Sequence, residues 1–304
     1  MSCFLQHPRL PDSPVRAALI SGEFPWLKDA LDTLGITAVQ TEEERRLPKP
    51  VRFHPDLQVS PLYDKQMFVL KRSPLNNQLA RQGFSVSETE RCPEQTYPKD
   101  VLCGGLVWNS YLIGNPRGVD PAIQEAAQKQ GLQFLPVGQG YCACSVALVD
   151  ANHAITADRG LERALKAEGF EVLLIRPGFI ELPGYDTGFI GGCSGKLAPD
   201  KMAFAGQLSS HPDGELIRAF ILDCGISVTE LKKGPLLDVG GILPLLQGEV
   251  ERDEKIETII QNRLFCIAPA KAWTRNDTKA PILYSFCLPG PGKRAAARLV
   301  CSNP

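Results

Sequence analysis

A pattern repeated five times along the chain constrains its fold more than any other feature. In each copy a short amphipathic segment ends at a glycine and runs directly into an apolar segment. The glycines are Gly35, Gly83, Gly131, Gly169 and Gly225, at intervals of 48, 48, 38 and 56 residues. Glycine after the last helical turn permits the left-handed C′ conformation, and a following run rich in Val, Ile, Leu and Phe is typical of a strand. The repeat therefore predicts five helix–strand units.

A further strand is predicted before each helix, over residues 15–21, 66–70, 105–113, 145–156 and 189–204. The last two stretches are long enough for two strands and a turn, so each unit is strand, strand, helix, strand. The first unit lacks its opening strand because only 14 residues precede Val15. The apolar run 236–246 could supply it and close a ring without exposed edges. The predicted fold class is α/β, a closed five-unit pseudo-symmetric ββαβ propeller over residues 15–246; an open α/β sheet is the alternative.

Composition excludes several classes of function. The formal net charge is −1, which leaves no basic surplus for nucleic acid. No apolar run reaches the roughly 18 residues that a membrane span needs, and the first 14 residues lack the apolar core of a signal peptide. Ten scattered cysteines without a CxxC pair, and only four histidines, give little support to a zinc site. Without phosphate-binding glycine motifs we expect no cofactor, and we expect a cytoplasmic protein with reduced thiols.

The character of the chain changes after the repeats. Residues 247–304 are predicted to be a polar helix, over about 249–264, followed by a basic and disordered C-terminal extension. Two explanations are open for this extension: a read-through or shifted reading frame in the source gene, or a weak role in binding nucleic acid or a partner.

Several motifs in the second half carry a family resemblance. They are GQGYCACSV, AITADRGL, LLIRPGFIELPGYDTGFIGGCSG, SSHPDGELI and LLDVGGILPLL. Together they resemble an uncharacterised bacterial family assigned to the pentein, or guanidino-group-modifying enzyme, fold. The resemblance covers residues 15–246 and is strongest from Gly138 onward. It implies a Cys thiolate that attacks a guanidinium carbon, a His that serves as acid and base, and carboxylates that hold the guanidinium nitrogens. The family places its Cys near the end of the ring, where run 236–246 has none.

His211 and Cys193 are the predicted catalytic residues. His211 lies in SHPDG, beside an acidic residue in a late unit, and the competing interpretation is an ordinary helix entry. Cys193 lies in GFIGGCSG, where glycines let a backbone approach a ligand closely, and the competing interpretation is a buried free cysteine.

Four carboxylates are predicted to bind the substrate. Asp213 follows His211, and Asp158 lies in TADRG; both could instead cap helices. Asp186 lies in PGYDTG and has no capping role. Asp238 interrupts the closing apolar run, where a carboxylate is costly to bury without a partner.

Two further motifs have weaker functional interpretations. His54 and Asp56 form a second HPD motif, for which we favour a surface turn although symmetric units aim equivalent loops at one centre. Cys142 and Cys144 alternate on a predicted strand, so packing accounts for most of that signal.

Three functions fit these observations. The first is an enzyme that acts on a small, arginine-like guanidinium compound. The second is a binding module that kept a carboxylate-lined pocket for a small cation and lost the nucleophile. The third is a structural or partner-binding protein. A His and a Cys within hydrogen-bond reach beside two carboxylates would favour the enzyme.

Overall fold

A computed structural model describes residues 2–249, which form five small sheets. The strands are β1 Ser2–Phe4, β2 Val15–Ile20, β3 Thr37–Gln40, β4 Val59–Pro61, β5 Gln66–Val69, β6 Ser85–Glu88, β7 Leu106–Trp108, β8 Tyr111–Gly114, β9 Gln133–Pro136, β10 Val146–Leu148, β11 His153–Thr156, β12 Glu171–Leu174, β13 Ser194–Ala198, β14 Lys201–Phe204, β15 Ser227–Glu230 and β16 Leu243–Gly248. The helices are α1 Pro25–Thr33, α2 Pro55–Gln58, α3 Leu75–Arg81, α4 Pro121–Lys129, α5 Cys142–Ser145, α6 Arg159–Ala167 and α7 Gly214–Asp223, with 3-10 turns at Lys49–Val51 and Leu208–Ser210.

The five sheets share one connectivity. In each, a middle strand pairs antiparallel with an opening strand and, after a crossover helix, parallel with a third strand; β4, β5 and β6 with helix α3 are one example. The five repeat glycines all follow crossover helices and have φ between +73° and +92°. Glycine adopts this left-handed conformation without the steric cost of a Cβ. The five-unit α/β prediction is therefore confirmed.

The C-terminal strand completes the first unit. Strand β16 pairs antiparallel with β2, with Leu243 opposite Leu19, and β2 pairs parallel with β3. Strand β1 adds to the other side of β16. The expectation that a late strand supplies the missing one is thus confirmed, and both ends of the ring meet in one sheet. Since β16 ends at Gly248, the sheet extends slightly past the predicted boundary at residue 246.

The crossover helices bury one face against their sheets. In α6 this face carries Leu161 and Leu165, and in α7 it carries Ile217 and Ile221, all fully buried. The helical spacing of these residues brings them onto one side. Within residues 2–249 no helix is long and apolar enough to cross a membrane.

Three local predictions need correction. The stretch 105–113 contains two strands, β7 and β8, rather than one. Cys142 and Cys144 lie in the single-turn helix α5, where both are buried, and not on a strand. Asp238 lies in the loop before β16 rather than inside the strand. The predicted helix and extension after residue 249 lie outside the described residues.

Closure of the ring can be tested by shortening one side chain in β16. Leu243 is 1% exposed, whereas Leu222 on α7 is 54% exposed. We expect Leu243→Ala to lower the free energy of unfolding by roughly 2–5 kcal/mol, because it leaves a cavity between β16 and β2. Leu222→Ala, the same change on the surface, should cost less than about 0.5 kcal/mol. Urea unfolding curves measure both, and equal effects would contradict the tight packing of the closing strand.

Candidate active site at the centre of the five units

Two single-turn helices at equivalent places in the repeat form the middle of the site. Helix α2 runs directly into the opening strand of the second unit, and α5 runs directly into that of the fourth. The two helices contact each other. Pro55 begins α2, where a missing N–H costs nothing. His54 is the residue before this turn, and Asp56 is the second residue in it. Asp56 and, on α5, Cys144 are thereby buried side by side.

The loop before β16 brings the second carboxylate. Asp238 is 1% exposed, and its oxygens accept hydrogen bonds from the backbone N–H groups of Phe189 (2.8 Å) and Gly240 (3.0 Å). A Cβ on Gly192 would lie 2.0 Å from Asp238 Oδ1. Only glycine at position 192 therefore leaves room for this carboxylate.

His54 lies between the two carboxylates. Its Nδ1 is 3.8 Å from Asp238 Oδ1 and 4.0 Å from Asp56 Oδ1. All three side chains are almost fully buried. Within the described residues, His54 Nε2 and both oxygens of Asp56 have no hydrogen-bond partner. Buried polar atoms are normally paired, so such a cluster marks a place where a ligand can supply the missing contacts.

These residues adjoin a cavity of about 130 Å³. Its lining is mainly apolar and aromatic, and consists of Val51, His54, Leu57, Tyr141, Cys144, Leu182, Tyr185, Thr187, Phe189 and Asp238. None of these ten residues is Lys or Arg. The cavity thus offers a carboxylate, an imidazole and a thiol, but no cation to balance a negatively charged ligand.

Burial controls protonation at this centre. It raises the pKa of Asp56 to about 8, assisted by the charge of Asp238 and opposed by the Cys144 thiol and by Arg9. Burial, followed by the charges of Asp56 and Asp238, raises the pKa of the Cys144 thiol well above its usual value. Burial also lowers the pKa of His54, against the pull of Asp238. At neutral pH the ligand-free site therefore holds a protonated Asp56, a neutral imidazole and a neutral thiol.

A tyrosine fixes one wall of the cavity. The Tyr141 hydroxyl donates a hydrogen bond to Asp100, which is 1% exposed. Burial raises the pKa of Asp100, and burial together with Asp100 raises that of Tyr141. The Tyr141 ring stacks on Tyr97 at 6.1 Å and on Phe189 at 5.9 Å between centroids. A stack of aromatic faces beside a carboxylate suits a planar cation.

Of the six residues predicted from sequence, only Asp238 lines this cavity. His211 is buried elsewhere, where its Nε2 lies 3.2 Å from the carbonyl oxygen of Arg176 and its Nδ1 accepts from the Asp213 N–H. Asp213 binds the Arg176 guanidinium at 2.6 and 2.9 Å instead of capping α7. In the described part of the chain no hydrogen bond joins His211 to Cys193 or Cys144. The catalytic role of His211 stays a prediction.

The other predicted residues have structural partners or are exposed. Cys193 is fully buried and its thiol donates to the Ile190 carbonyl at 3.3 Å. Burial, then the charge of Asp238, raises its pKa well above the usual value. Asp158 caps α6 by accepting from the N–H groups of Gly160 and Leu161. Asp186 is exposed, in the loop that brings Tyr185 and Thr187 to the cavity.

Sequence reasoning underrated His54, Asp56 and Cys144. The available signal was the repetition of HPD in two units of a symmetric chain, since equivalent loops converge on the centre. It was outweighed by the turn propensity of Pro-Asp. The alternation of Cys142 and Cys144 favoured a strand and hid the short helix.

The fold and the site now define a class. The architecture is the pentein fold, with a polar centre formed by loops from different units. The family described as "Family of unknown function (DUF6873)" matches residues 19–243, and the chain belongs to it. No curated protein matches the chain.

Several solved structures are similar in fold. The inosamine-phosphate amidinotransferase of Streptomyces griseus has a TM-score of 0.52 at 10% identity, over 82% of this chain and 98% of that one. DDAH from Pseudomonas aeruginosa, as a Cys-to-Ser mutant complexed with citrulline, has a TM-score of 0.49 at 10% identity, over 77% and 99%. Agmatine deiminase of C. jejuni has a TM-score of 0.46 at 8% identity, over 76% and 91%.

The raised pKa of Asp56 predicts a distinctive pH dependence of stability. In the unfolded chain the carboxyl ionises near its usual pKa, but in the folded protein it keeps its proton up to about pH 8. Between these values the folded state binds more protons, so stability falls as pH rises, by at most about 1.4 kcal/mol per pH unit. Below about pH 6.5 the lowered pKa of His54 makes stability rise with pH. The effect of Asp56 on stability is therefore measured between pH 6.5 and 8.

We expect Asp56→Asn to flatten the unfolding free energy across that window and to stabilise the protein at pH 8. Asp213→Asn is the matched control, because the Arg176 ion pair lowers the pKa of Asp213 and confines its effect to acid pH. Urea unfolding at half-unit pH steps provides the measurement. An unchanged slope in the Asp56 variant would show that this carboxyl is ionised in the folded state.

Proposed function

We propose that the protein modifies a small guanidinium compound at the central cavity, through a covalent intermediate on Cys144. The observation that carries this proposal is that Cys144, His54 and Asp238 line one cavity, with the Asp56 carboxylate buried next to His54. The fold shared with an amidinotransferase supports it. The proposal moves the nucleophile from Cys193 to Cys144 and the acid–base group from His211 to His54.

Charge favours a cation as the ligand. Asp238 lines the cavity and Asp56 lies beside it, whereas none of the ten lining residues is Lys or Arg. A guanidinium matches carboxylates with paired N–H donors and can rest on the faces of Tyr141 and Phe189. Its positive charge would lower the pKa values of both Asp56 and Cys144. The ligand would thus favour the Asp56 carboxylate and the Cys144 thiolate, both of which burial disfavours.

The proposed reaction follows from these positions. Cys144 Sγ attacks the central guanidinium carbon and forms a C–S bond, while its proton passes to His54 or Asp56. One C–N bond breaks, and the leaving amine takes a proton from His54. The amidino-thioether then reacts with water, which yields a ureido product, or with a second amine, which accepts the amidino group. Each outcome restores the thiol.

Cavity size and lining narrow the ligand. Its 130 Å³ is smaller than the roughly 300–1,000 Å³ typical of sites for drug-sized molecules. An arginine-like ligand would bring an α-carboxylate into a lining without a cation, and an unpaired buried charge costs several kcal/mol. Aliphatic contacts from Val51, Leu57 and Leu182 suit a short apolar substituent. The substrate class is therefore a small alkylguanidinium without a carboxylate.

A binding module without chemistry is the second candidate. The observation that favours it is the thiol itself, because burial holds its pKa well above the usual value. A neutral thiol is a poor nucleophile. The two functions differ in one respect: only the enzyme forms a covalent adduct on Cys144.

The first test looks for that adduct and for turnover. Purified protein is incubated with methylguanidine, agmatine or arginine, quenched in acid and analysed by mass spectrometry, while the supernatant is assayed for ureido products. We expect an amidino adduct on Cys144 and loss of turnover by at least about a thousandfold in Cys144→Ser, since the nucleophile is removed.

Cys142→Ser and Cys193→Ser are the matched controls, because both cysteines are buried but neither lines the cavity. Both should retain turnover. Turnover lost only in Cys193→Ser would return the nucleophile to that residue. Binding without adduct or product would establish the second candidate.

The second test concerns affinity and pH. Because cation binding must release the proton of Asp56 below pH 8, we expect the affinity for methylguanidinium to rise about tenfold per pH unit from 6.5 to 8. Arginine should bind at least about tenfold more weakly than methylguanidinium. Calorimetric titration of Cys144→Ser, which cannot turn over, measures both. Adding Asp56→Asn should remove the pH dependence of the affinity, and adding Asp238→Asn should abolish binding. An affinity that does not change with pH while Asp56 is intact would contradict a contact between Asp56 and the ligand.

A further inference from the structure

Arg9 has a backbone conformation that its residue type does not favour. It is the third residue of the turn His7–Leu10, which is closed by a hydrogen bond from the Leu10 N–H to the His7 carbonyl at 3.2 Å. Pro8 is second in the turn, and Arg9 has φ of +66°. That position after proline ordinarily takes glycine. Left-handed strain of about 1 kcal/mol persists only where surrounding structure imposes it, and it often marks a functional position.

The side chain of Arg9 lines a small space that is separate from the ligand cavity. Arg9 Nη2 is buried and has no hydrogen-bond partner among residues 2–249. The small space has a volume of about 20 Å³ and is also lined by Val146, Gly191, Ser194 and Ile242. Val146 is two residues beyond Cys144, and Gly191 adjoins the Gly192 that packs on Asp238. A Cβ on Gly191 would lie 2.5 Å from the Cys144 carbonyl oxygen, and one on Gly241 would lie 3.8 Å from both Asp56 Oδ2 and the Ser194 carbonyl oxygen. The space that Arg9 lines therefore adjoins the neighbours of Asp56 and Cys144.

The charged groups around Arg9 favour a counter-charge role. Asp56 and Cys144 lie within its electrostatic reach and oppose the effect of burial, which lowers the pKa of Arg9. In return, Arg9 lowers the pKa values of both Asp56 and Cys144. Lys196 lines the same small space and donates to the Pro199 carbonyl at 2.8 Å. Burial lowers the pKa of Lys196 to about 8, so it can repel Arg9 below that pH.

We infer that Arg9 is a positioning residue that acts through Asp56 and Cys144, as the resident positive charge near the ligand site. When both carboxyls are ionised, the two carboxylates and the Arg9 guanidinium leave a single net negative charge for one monovalent cation. Without it, the second carboxylate would hold its proton more tightly and the thiol would ionise less. The inference rests on the proposed function for the catalytic meaning of Cys144, but not for the electrostatic coupling itself.

The experiment measures that coupling without any substrate. Arg9→Met, Arg9→Lys and Arg9→Gly are compared with the unmutated protein by urea unfolding at pH 6.5 and pH 9. Asp56 is largely protonated at the lower pH and ionised at the higher one. We expect Arg9→Met to destabilise the protein more at pH 9 than at pH 6.5, and Arg9→Lys to behave like the unmutated protein. Glycine adopts a positive φ without strain, so Arg9→Gly removes the charge and the backbone strain together.

Repeating Arg9→Met in an Asp56→Asn background distinguishes an effect that arises through Asp56 from one that arises through Lys196. If Arg9 acts through Asp56, the extra destabilisation at pH 9 disappears there; if it persists, Lys196 is responsible and the inference is wrong. An equal effect of Arg9→Met at both pH values would also overturn it. Arg16→Met, an exposed arginine on β2, is the matched control and should show no pH dependence.

A second measurement follows the thiol. The rate of alkylation of Cys144 by iodoacetamide between pH 7 and 10 should fall about tenfold for each unit by which its pKa rises. We expect slower alkylation in Arg9→Met and Arg9→Gly, with rescue in Arg9→Lys. An unchanged profile would refute the effect on the thiol. If turnover is absent in every protein but this coupling is present, the proposed function fails while the role of Arg9 stands.

Discussion

The burial of two carboxylates beside one imidazole is the constraint on which the rest of the centre depends. Asp56 and Asp238 are each 1% exposed and share His54 between them. Burial, assisted by the charge of Asp238, raises the pKa of Asp56 to about 8, so Asp56 keeps its proton at neutral pH. The contacts of the two carboxyl groups agree with this difference in protonation. Asp238 accepts hydrogen bonds from two backbone amides, and Asp56 has no hydrogen-bond partner within the described chain. No Lys or Arg is among the ten residues that line the ligand cavity.

The repeat explains how such a centre can be assembled from distant segments. The segments before the opening strands of the second, fourth and fifth units contact one another or the loop before β16. In the second unit this place holds Asp56, in the fourth Cys144, and in the fifth Gly192, whose missing side chain admits Asp238. A symmetric fold thus supplies equivalent positions, and different residues at those positions provide an acid, a thiol and space. The proposed nucleophile can then lie in the fourth unit, although the closing segment has no cysteine.

The fold was largely predictable from sequence, whereas the site was not. Helix ends at glycine and apolar strands are local signals, and the late apolar run correctly indicated the strand that completes the first unit. The site depends on contacts between residues far apart in sequence, which periodicity does not encode. Asp238 was identified because a carboxylate in an apolar run needs a partner. His54 and Asp56 were interpreted as a turn, and Arg9 gave no signal, because its importance comes from a conformation and a burial that only the folded chain has.

Closure of the ring and assembly of the charges are one structural event. Asp238 lies in the loop that leads into β16, and Arg9 lies between β1 and β2, the two strands that flank β16. Pairing of β16 between them therefore brings a negative charge from one end of the ring and a positive charge from the other to the same centre. The electrostatic balance that we propose for Asp56 and Cys144 exists only after this sheet has formed. The sheet that closes the ring thus also buries the carboxylates that an open chain leaves in water, and so creates the site that we propose binds a cation.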